Sequence, residues 1–257
     1  MGSSHGTVVP KRPPRALILT DLPPQEADAE IDWSRWYVTD EEDMGSSIEQ
    51  QAIVTLLLAC LAQWSTEKGW DALLIGQDVF FAWIPREPLV RVSPDVFVVD
   101  KPPDPPPSSI QTWLPGHKPP RFALEVVSQD KTKDHEDAPL RYAQLGCTEL
   151  VVFDPAAPSG RRPDRQPLTV YRRQEDGAFA RVYAGAGPAP SRELDAWLVV
   201  RPEHDRPRLR IARNAEGMDI VLTGDEKAVI EAAGRRKAEA EIATLKAELD
   251  RLKNGGR

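Results

Sequence analysis

Two acidic side chains, Asp95 and Glu125, lie in apolar segments of the sequence where an isolated charge is costly. Asp95 follows Pro94 and directly precedes the apolar run 96–99, and Glu125 lies inside the run 122–127. A carboxylate in such a segment is unfavourable unless it is paired, hydrogen-bonded or bound to a metal. If the two runs are neighbouring strands, both carboxylates can bind one hard cation such as Mg²⁺, which prefers oxygen ligands. A cation held there can activate water and stabilise the charge that builds on a phosphodiester.

The same pattern has a structural interpretation, in which Glu125 pairs with an arginine or points outward from a half-exposed strand. Spacing alone leaves both interpretations open. The sequence has no phosphate-binding glycine loop and no Gly-x-Ser-x-Gly motif. Its two cysteines, Cys60 and Cys147, lie in hydrophobic contexts, and their number excludes a disulfide framework or a cysteine-ligated zinc site.

The composition is that of a globular chain. A length of 257 residues allows one full-sized core plus an appendage. The net charge of −7 argues against a protein that coats DNA, but an acidic metal site is compatible with a nuclease. No apolar run approaches the roughly 20 residues of a membrane-spanning helix, and the N-terminal segment lacks the apolar core of a secretory signal. We therefore expect a cytoplasmic protein without membrane contact.

The hydrophobic pattern predicts an α/β protein. Apolar residues at three- and four-residue steps indicate an amphipathic helix over 47–67, with a serine cap before it and Gly69 after it. A short helix is expected after Asp134, with Pro139 in its first turn and Gly146 at its C-terminal cap. The proline-rich stretch 101–120 reads as a loop. Strands are predicted over 72–75, 78–83, 96–99, 122–127, 150–153, 168–171, 179–183 and 198–200.

The chain divides into four predicted regions. Residues 1–30 read as a flexible, proline-rich leader, 31–204 as the main domain, 205–224 as a linker and 225–257 as a charged helix. In that helix, an a/d seam of about two heptads is formed by Ile242, Leu245, Leu249 and Leu252. Two interpretations stay open, a lone solvated helix and a coiled coil through which the chain forms a homo-oligomer such as a dimer.

An ordered series of short motifs surrounds the two acids. The series consists of Ser93-Pro94-Asp95-Val96, then Leu124-Glu125-Val126-Val127-Ser128, then Asp134, Tyr142 and the run 146–155, which reads GCTELVVFDP. It resembles the Uma-type endonucleases, a bacterial branch of the PD-(D/E)xK superfamily. The resemblance extends from about residue 47 to 200, and the charged C-terminal helix is similar to tails frequent in that family.

The resemblance implies a restriction-endonuclease-like mixed central sheet flanked by helices, and metal-dependent hydrolysis of phosphodiester bonds in DNA. By the same resemblance, Asp95 and Glu125 match the two metal-binding acids, and the backbone carbonyl of Val126 would be a third ligand of Mg²⁺ (or Mn²⁺). Asp134 matches a further acid of the family. Glu49 matches loosely an extra helix carboxylate, and the competing interpretation of that residue is a solvated helix face.

The chain departs from the family at the catalytic lysine. The superfamily motif has it where this sequence has Val127, and the Uma-type branch has it where this sequence has Ala138. Nearby basic residues, above all Lys131 or Lys133 and also Arg141, could take its place. The alternative is that catalysis has been lost and that the fold is a degenerate module used for binding or oligomeric assembly.

Overall fold

A computed structural model describes residues 47–127, 137–157, 165–203 and 205–254. The leader predicted at 1–30 lies outside the described residues, as do 31–46 of the predicted domain. The helices are α1 (Ile48–Lys68), α2 (Ala138–Leu145) and α3 (Gly224–Asn254). The strands are β1 (Leu73–Gly76), β2 (Phe80–Ala82), β3 (Arg91–Val92), β4 (Val96–Asp100), β5 (Ser109–Gln111), β6 (Phe122–Val126), β7 (Glu149–Phe153), β8 (Leu168–Arg173), β9 (Phe179–Gly185), β10 (Ala189–Ser191), β11 (Ala196–Glu203) and β12 (Arg206–Ala212).

The leading helix α1 forms where the periodicity predicts it. The side chain of Ser47 accepts a hydrogen bond from the backbone N–H of Gln50, which caps the first turn. Gly69 ends the helix in the left-handed conformation, with a φ of 62°. The buried face of α1 includes Ile53, Leu57 and Leu61, which have no exposed surface. This face anchors the helix on the central sheet, so its first turn lies in a fixed place.

The central sheet has six strands in the order β1-β4-β6-β7-β8-β9. Strands β6 and β7 are parallel and all other neighbours are antiparallel, so the sheet is mixed as expected. Strands β4 and β6 pair directly, with Val96 opposite Leu124 and Val98 opposite Phe122. The condition set for a shared cation, that the two acidic segments be neighbouring strands, is therefore met.

The two faces of the sheet have different covers. On one face, α1 and the small sheet β10-β11-β12 pack over a core that includes Val96, Val98 and Leu124. On the other face, α2 and the small sheet β3-β2-β5 pack over a second core that includes Phe97 and Ala123. Successive side chains of a strand alternate between these two faces.

Two predicted irregular segments contain strands. The stretch 101–120 includes β5, in which only Ile110 is buried. With polar residues on both sides of Ile110, the sequence shows no apolar run that would predict this strand. The predicted linker 205–224 includes β12, which pairs with β11 along its whole length. Three arginines give β12 a polar sequence, but Leu209 and Ile211 between them are fully buried. The first compact unit of the chain extends to Val221, so β12 belongs to the folded domain.

The second compact unit, 222–257, contains α3. A reciprocal capping box starts this helix: the N–H of Glu226 donates to Thr223 Oγ1 at 3.2 Å, and the N–H of Thr223 donates to Glu226 Oε2 at 2.7 Å. The helical tail predicted from the sequence is thus present. Within the described ranges, none of the helices combines the length and the apolar character needed to cross a membrane.

A buried ion pair links the central sheet to the small sheet β10-β11-β12. Glu149 on β7 is fully buried, and Arg172 on β8 donates to its Oε2 from two nitrogens, at 2.9 and 3.2 Å. The hydroxyl of Ser191 on β10 donates to Oε1, and the N–H of Arg192 donates to Oε2 at 3.0 Å. Both oxygens of the carboxylate are therefore satisfied, as a buried charge requires.

We expect the Glu149→Gln substitution to lower the free energy of unfolding by about 3 to 5 kcal/mol, because it leaves Arg172, whose side chain is 13% exposed, without its counter-charge. Urea unfolding followed by fluorescence measures this change. Glu67→Gln is the control, since it removes a half-exposed partner of Arg213 and should cost about 1 kcal/mol or less. Equal effects of the two substitutions would show that the buried pair has no special role.

Candidate metal centre

The register of β4 and β6 brings Asp95 and Glu125 together. The pairing of Val96 with Leu124 and of Phe97 with Ala123, continued by one residue, places Asp95 opposite Glu125. Alternation puts both side chains on the face of the sheet that carries Phe97 and Ala123. The two acids predicted from the sequence therefore share one face at one end of the β4–β6 pair.

Asp95 is 8% exposed and is held from two directions. Its Oδ2 accepts a hydrogen bond from the N–H of Val126, at 2.7 Å. Its Oδ1 accepts one from Gln50 Nε2 on the first turn of α1, also at 2.7 Å. In a continued β4–β6 ladder, the carbonyl of Pro94 would accept the hydrogen bond from Val126. Here that carbonyl accepts a hydrogen bond from the N–H of Asp78 instead. The carboxylate of Asp95 thus takes the place of a backbone acceptor where the β4–β6 pairing ends.

The backbone of Val126 faces the same edge. Val127 donates its N–H to Phe153 on β7, so Val126, the residue before it, is directed toward β4. In an extended strand the N–H and C=O of one residue point to the same side. The carbonyl of Val126 therefore lies on the side of Asp95, as the role of a third oxygen ligand requires.

Glu125 is oriented by Tyr142 on α2. The Tyr142 hydroxyl donates to Glu125 Oε1 at 2.6 Å, and the ring is fully buried. Burial and the neighbouring Glu125 carboxylate raise the pKa of Tyr142 well above its ordinary value. Tyr142 is therefore a neutral donor across the whole physiological pH range. In the sequence, Tyr142 was only one member of the motif series. The signal for its role is that it is the polar residue on the apolar stripe that it forms with Ala138 and Leu145.

Glu49 lies apart from the two acids. Arg206 and Arg208 of β12 both donate to its carboxylate, and these hydrogen bonds lower the pKa of Glu49. The helix residue that reaches the site is its neighbour Gln50, which sequence reasoning missed. The two residues differ by one step along the helix, so hydrophobic periodicity could not separate them.

The two positions at which the resemblance predicts a lysine are apolar and buried. Val127 is 8% exposed and Ala138 is 6% exposed, and both belong to the core beneath α2. Arg141 on α2 is 6% exposed, and its Nε has no hydrogen-bond partner in the described part of the chain. The other site residues predicted from the sequence, Lys131, Lys133 and Asp134, lie outside the described residues.

The donor set that the described residues provide suits a hard cation. Within the described ranges, no cluster of three or more His, Cys, Asp or Glu side chains could hold a metal. The site offers two carboxylates and one carbonyl, all oxygen donors. Mg²⁺ usually takes one or two carboxylates and keeps several waters, so this set fits it. A site for zinc, which takes three or four nitrogen, sulfur or carboxylate ligands, would need more side chains.

Comparison with known proteins identifies the family of the chain. A family model named Uma2 and described as "Putative restriction endonuclease" matches residues 39–199, which is more than half of the chain. The chain belongs to the Uma2 family. A solved structure titled as a putative nuclease belonging to DUF820 from Anabaena variabilis is also similar, with 13% identity and a TM-score of 0.41, covering 58% of this chain and 75% of that chain. No curated protein matches.

Membership of the Uma2 family confirms the predicted resemblance and the restriction-endonuclease-like α/β fold. The Uma2 match includes Asp95, Glu125 and Tyr142, and it ends within β11. Strand β12 and helix α3 therefore follow the matched region.

The pKa of Tyr142 leads to a stability difference at high pH. In the unfolded chain the phenol loses its proton near pH 10, whereas the folded protein keeps it, so stability falls as the pH rises above 10. In Tyr142→Phe this contribution is absent. We expect the free energy of unfolding of the parent to fall more steeply than that of the variant above pH 10, by about 1.4 kcal/mol per pH unit. Urea unfolding of both proteins over this pH range measures the two slopes, and equal slopes would contradict the buried, neutral phenol.

Proposed function

We propose that this Uma2 protein is a divalent-metal-dependent endonuclease that hydrolyses phosphodiester bonds in DNA in the cytoplasm. Asp95, Glu125 and the carbonyl of Val126 would hold Mg²⁺ (or Mn²⁺). The observation that carries the proposal is the hydrogen bond from Val126 N–H to Asp95, because it fixes one carboxylate beside the strand position that bears the other. Family membership supports the nuclease class, and restriction-endonuclease-like enzymes generally use divalent metals.

The chain's own residues fix the donors before any ligand arrives. Gln50 and the backbone of Val126 each donate a hydrogen bond to one oxygen of Asp95, which holds this carboxylate in place. Tyr142 holds one oxygen of Glu125 in the same way. When bound, the cation would lower the pKa of a coordinated water and offset charge on the phosphate. Asp134, the further acid implied by the resemblance, is proposed as an additional carboxylate of the site.

The phosphate also needs a positive group, which relatives supply with the missing lysine. We assign this role to Lys131 or Lys133, which follow β6 in sequence. A lysine side chain is long and flexible enough to act from a segment beside the metal ligands. Arg141 is the rival within the described residues, because its Nε is buried without a partner there.

We expect the double variant Asp95→Asn, Glu125→Gln to lose both metal binding and DNA cleavage. Each amide keeps an oxygen that can accept the hydrogen bonds from Val126 or Tyr142, so the fold should persist while the ligand charges are gone. Calorimetric titration of Mg²⁺ and Mn²⁺, followed by plasmid nicking with the same samples, tests both properties. Glu49→Gln is the matched control and should leave both unchanged, because Glu49 pairs with Arg206 and Arg208.

Each outcome of this experiment decides a separate point. Binding and nicking that vanish together in the double variant support the proposed nuclease. Metal binding without nicking in the parent would favour the alternative, a degenerate module that keeps the acid pair. An unchanged affinity in the double variant would exclude Asp95 and Glu125 as metal ligands.

The lysine proposal predicts separable effects on cleavage and metal binding. Lys131→Ala, Lys133→Ala should lower the nicking rate by at least roughly a hundredfold with metal affinity unchanged, because an ammonium acts on the phosphate rather than on the cation. Arg141→Gln is the parallel test of the rival, and a loss of nicking confined to it would transfer the role to Arg141.

A further inference from the structure

Helix α3 carries an exposed apolar row. Ile242, Leu245 and Leu249 are 52%, 58% and 50% exposed, and they follow one another at three- and four-residue steps. Leu252 continues the same spacing in the sequence. An apolar stripe of this period along one helix is the seam by which two helices pack in a coiled coil. Within the part of the chain that the structure describes, this seam on α3 is therefore exposed.

The charged residues beside the seam indicate which kind of helix can pair with it. With Ile242 at heptad position a and Leu245 at d, the g positions are Glu241 and Glu248. The following e positions are Lys246 and Lys253, each five residues after one of those glutamates. Every g position of the seam is thus acidic, and the e position that it faces across a parallel pair is basic.

We propose that the partner of this seam is a second copy of α3, in parallel and in register. In that arrangement the g position of Glu241 lies opposite the e position of Lys246 of the partner subunit. The g position of Glu248 lies opposite the e position at 253, so all four pairs of positions across the dimer combine an acidic with a basic residue. An antiparallel pair would place g against g and e against e, which sets glutamate against glutamate and lysine against lysine. The charge pattern therefore selects the parallel homodimer.

The seam residues also favour two strands. A β-branched residue at a with leucine at d is the combination typical of parallel dimers, and the first heptad has Ile242 and Leu245 in these places. The preceding heptad has Arg235 at a and Ala238 at d, so strong apolar contact is confined to the last two heptads. A contact this short produces a reversible dimer rather than a permanent one.

The parallel arrangement has a direct consequence for assembly. Each copy of the first compact unit, 1–221, precedes its own α3 in the chain. Parallel pairing brings the N-terminal ends of the two α3 helices together, so both chains enter the coiled coil at the same end. This proposal does not depend on the activity proposed above, because it involves only the second compact unit.

Sedimentation of the full chain over a range of concentrations tests the dimer. We expect a monomer–dimer equilibrium in the parent, and Leu245→Asp, Leu249→Asp should weaken it by on the order of a hundredfold or more. Val229→Asp is the matched control, since Val229 is an exposed apolar residue of the same helix (68%) that lies off the seam, and it should leave the equilibrium unchanged. Because these side chains are exposed, all the variants should fold.

Three further variants test the partner of the seam and its orientation. Glu241→Lys, Glu248→Lys and Lys246→Glu, Lys253→Glu should each fail to self-associate, and mixing the two should restore a heterodimer. Ala238→Cys lies near one end of the seam, so oxidation should cross-link a parallel dimer, whereas an antiparallel pair would hold these positions roughly 27 Å apart. A parent that stays monomeric at all accessible concentrations would overturn the proposal, and a dimer that persists in Leu245→Asp, Leu249→Asp would place the interface elsewhere.

Discussion

The hydrogen bond from the N–H of Val126 to the carboxylate of Asp95 is the constraint on which the candidate site depends. The backbone pairing of β4 with β6 ends at Val96 and Leu124. The next N–H of β6 that faces β4 is that of Val126, and it needs another acceptor. A buried N–H without a partner costs on the order of 1 to 3 kcal/mol, and Asp95 supplies that partner with a charge. The sheet thus fixes one acid beside the other, and Gln50 on α1 holds it from the far side.

The packing around these acids explains why the fold accommodates Val127 and Ala138 where the family motif predicts a lysine. Val127 and Ala138 fill the layer between the sheet and α2, where an ammonium would be buried. Tyr142 supplies Glu125 with a hydrogen bond without bringing a charge into that layer, and its raised pKa keeps it neutral. In the proposed function, a positive group for the phosphate would therefore come from outside this layer. With Val127 and Ala138 at the two positions where the resemblance predicts a lysine, this layer has no ammonium, and Asp95 and Glu125 are still held by hydrogen bonds.

The sequence predicted those features that depend on a strong local pattern. The helix α1 and its Ser47 and Gly69 caps follow from apolar periodicity, and the strands that bear Asp95 and Glu125 follow from continuous apolar runs. Strand β12 was missed because its arginines pair with distant acids such as Glu49, a tertiary effect that no local pattern records. For the same reason the choice between Glu49 and Gln50 depends on where α1 sits on the sheet.

The two compact units differ in the interactions that stabilise them. The first unit has two apolar cores and a buried ion pair at Glu149, so its structure is determined within one chain. In α3, by contrast, the large apolar side chains at Ile242 and Leu249 are half exposed, and capping at Thr223 stabilises only its first turn. Exposed leucines in a soluble helix are favourable only when another surface covers them. Since the flanking charges complement their own copies, self-pairing is the arrangement that satisfies both the apolar row and its charges.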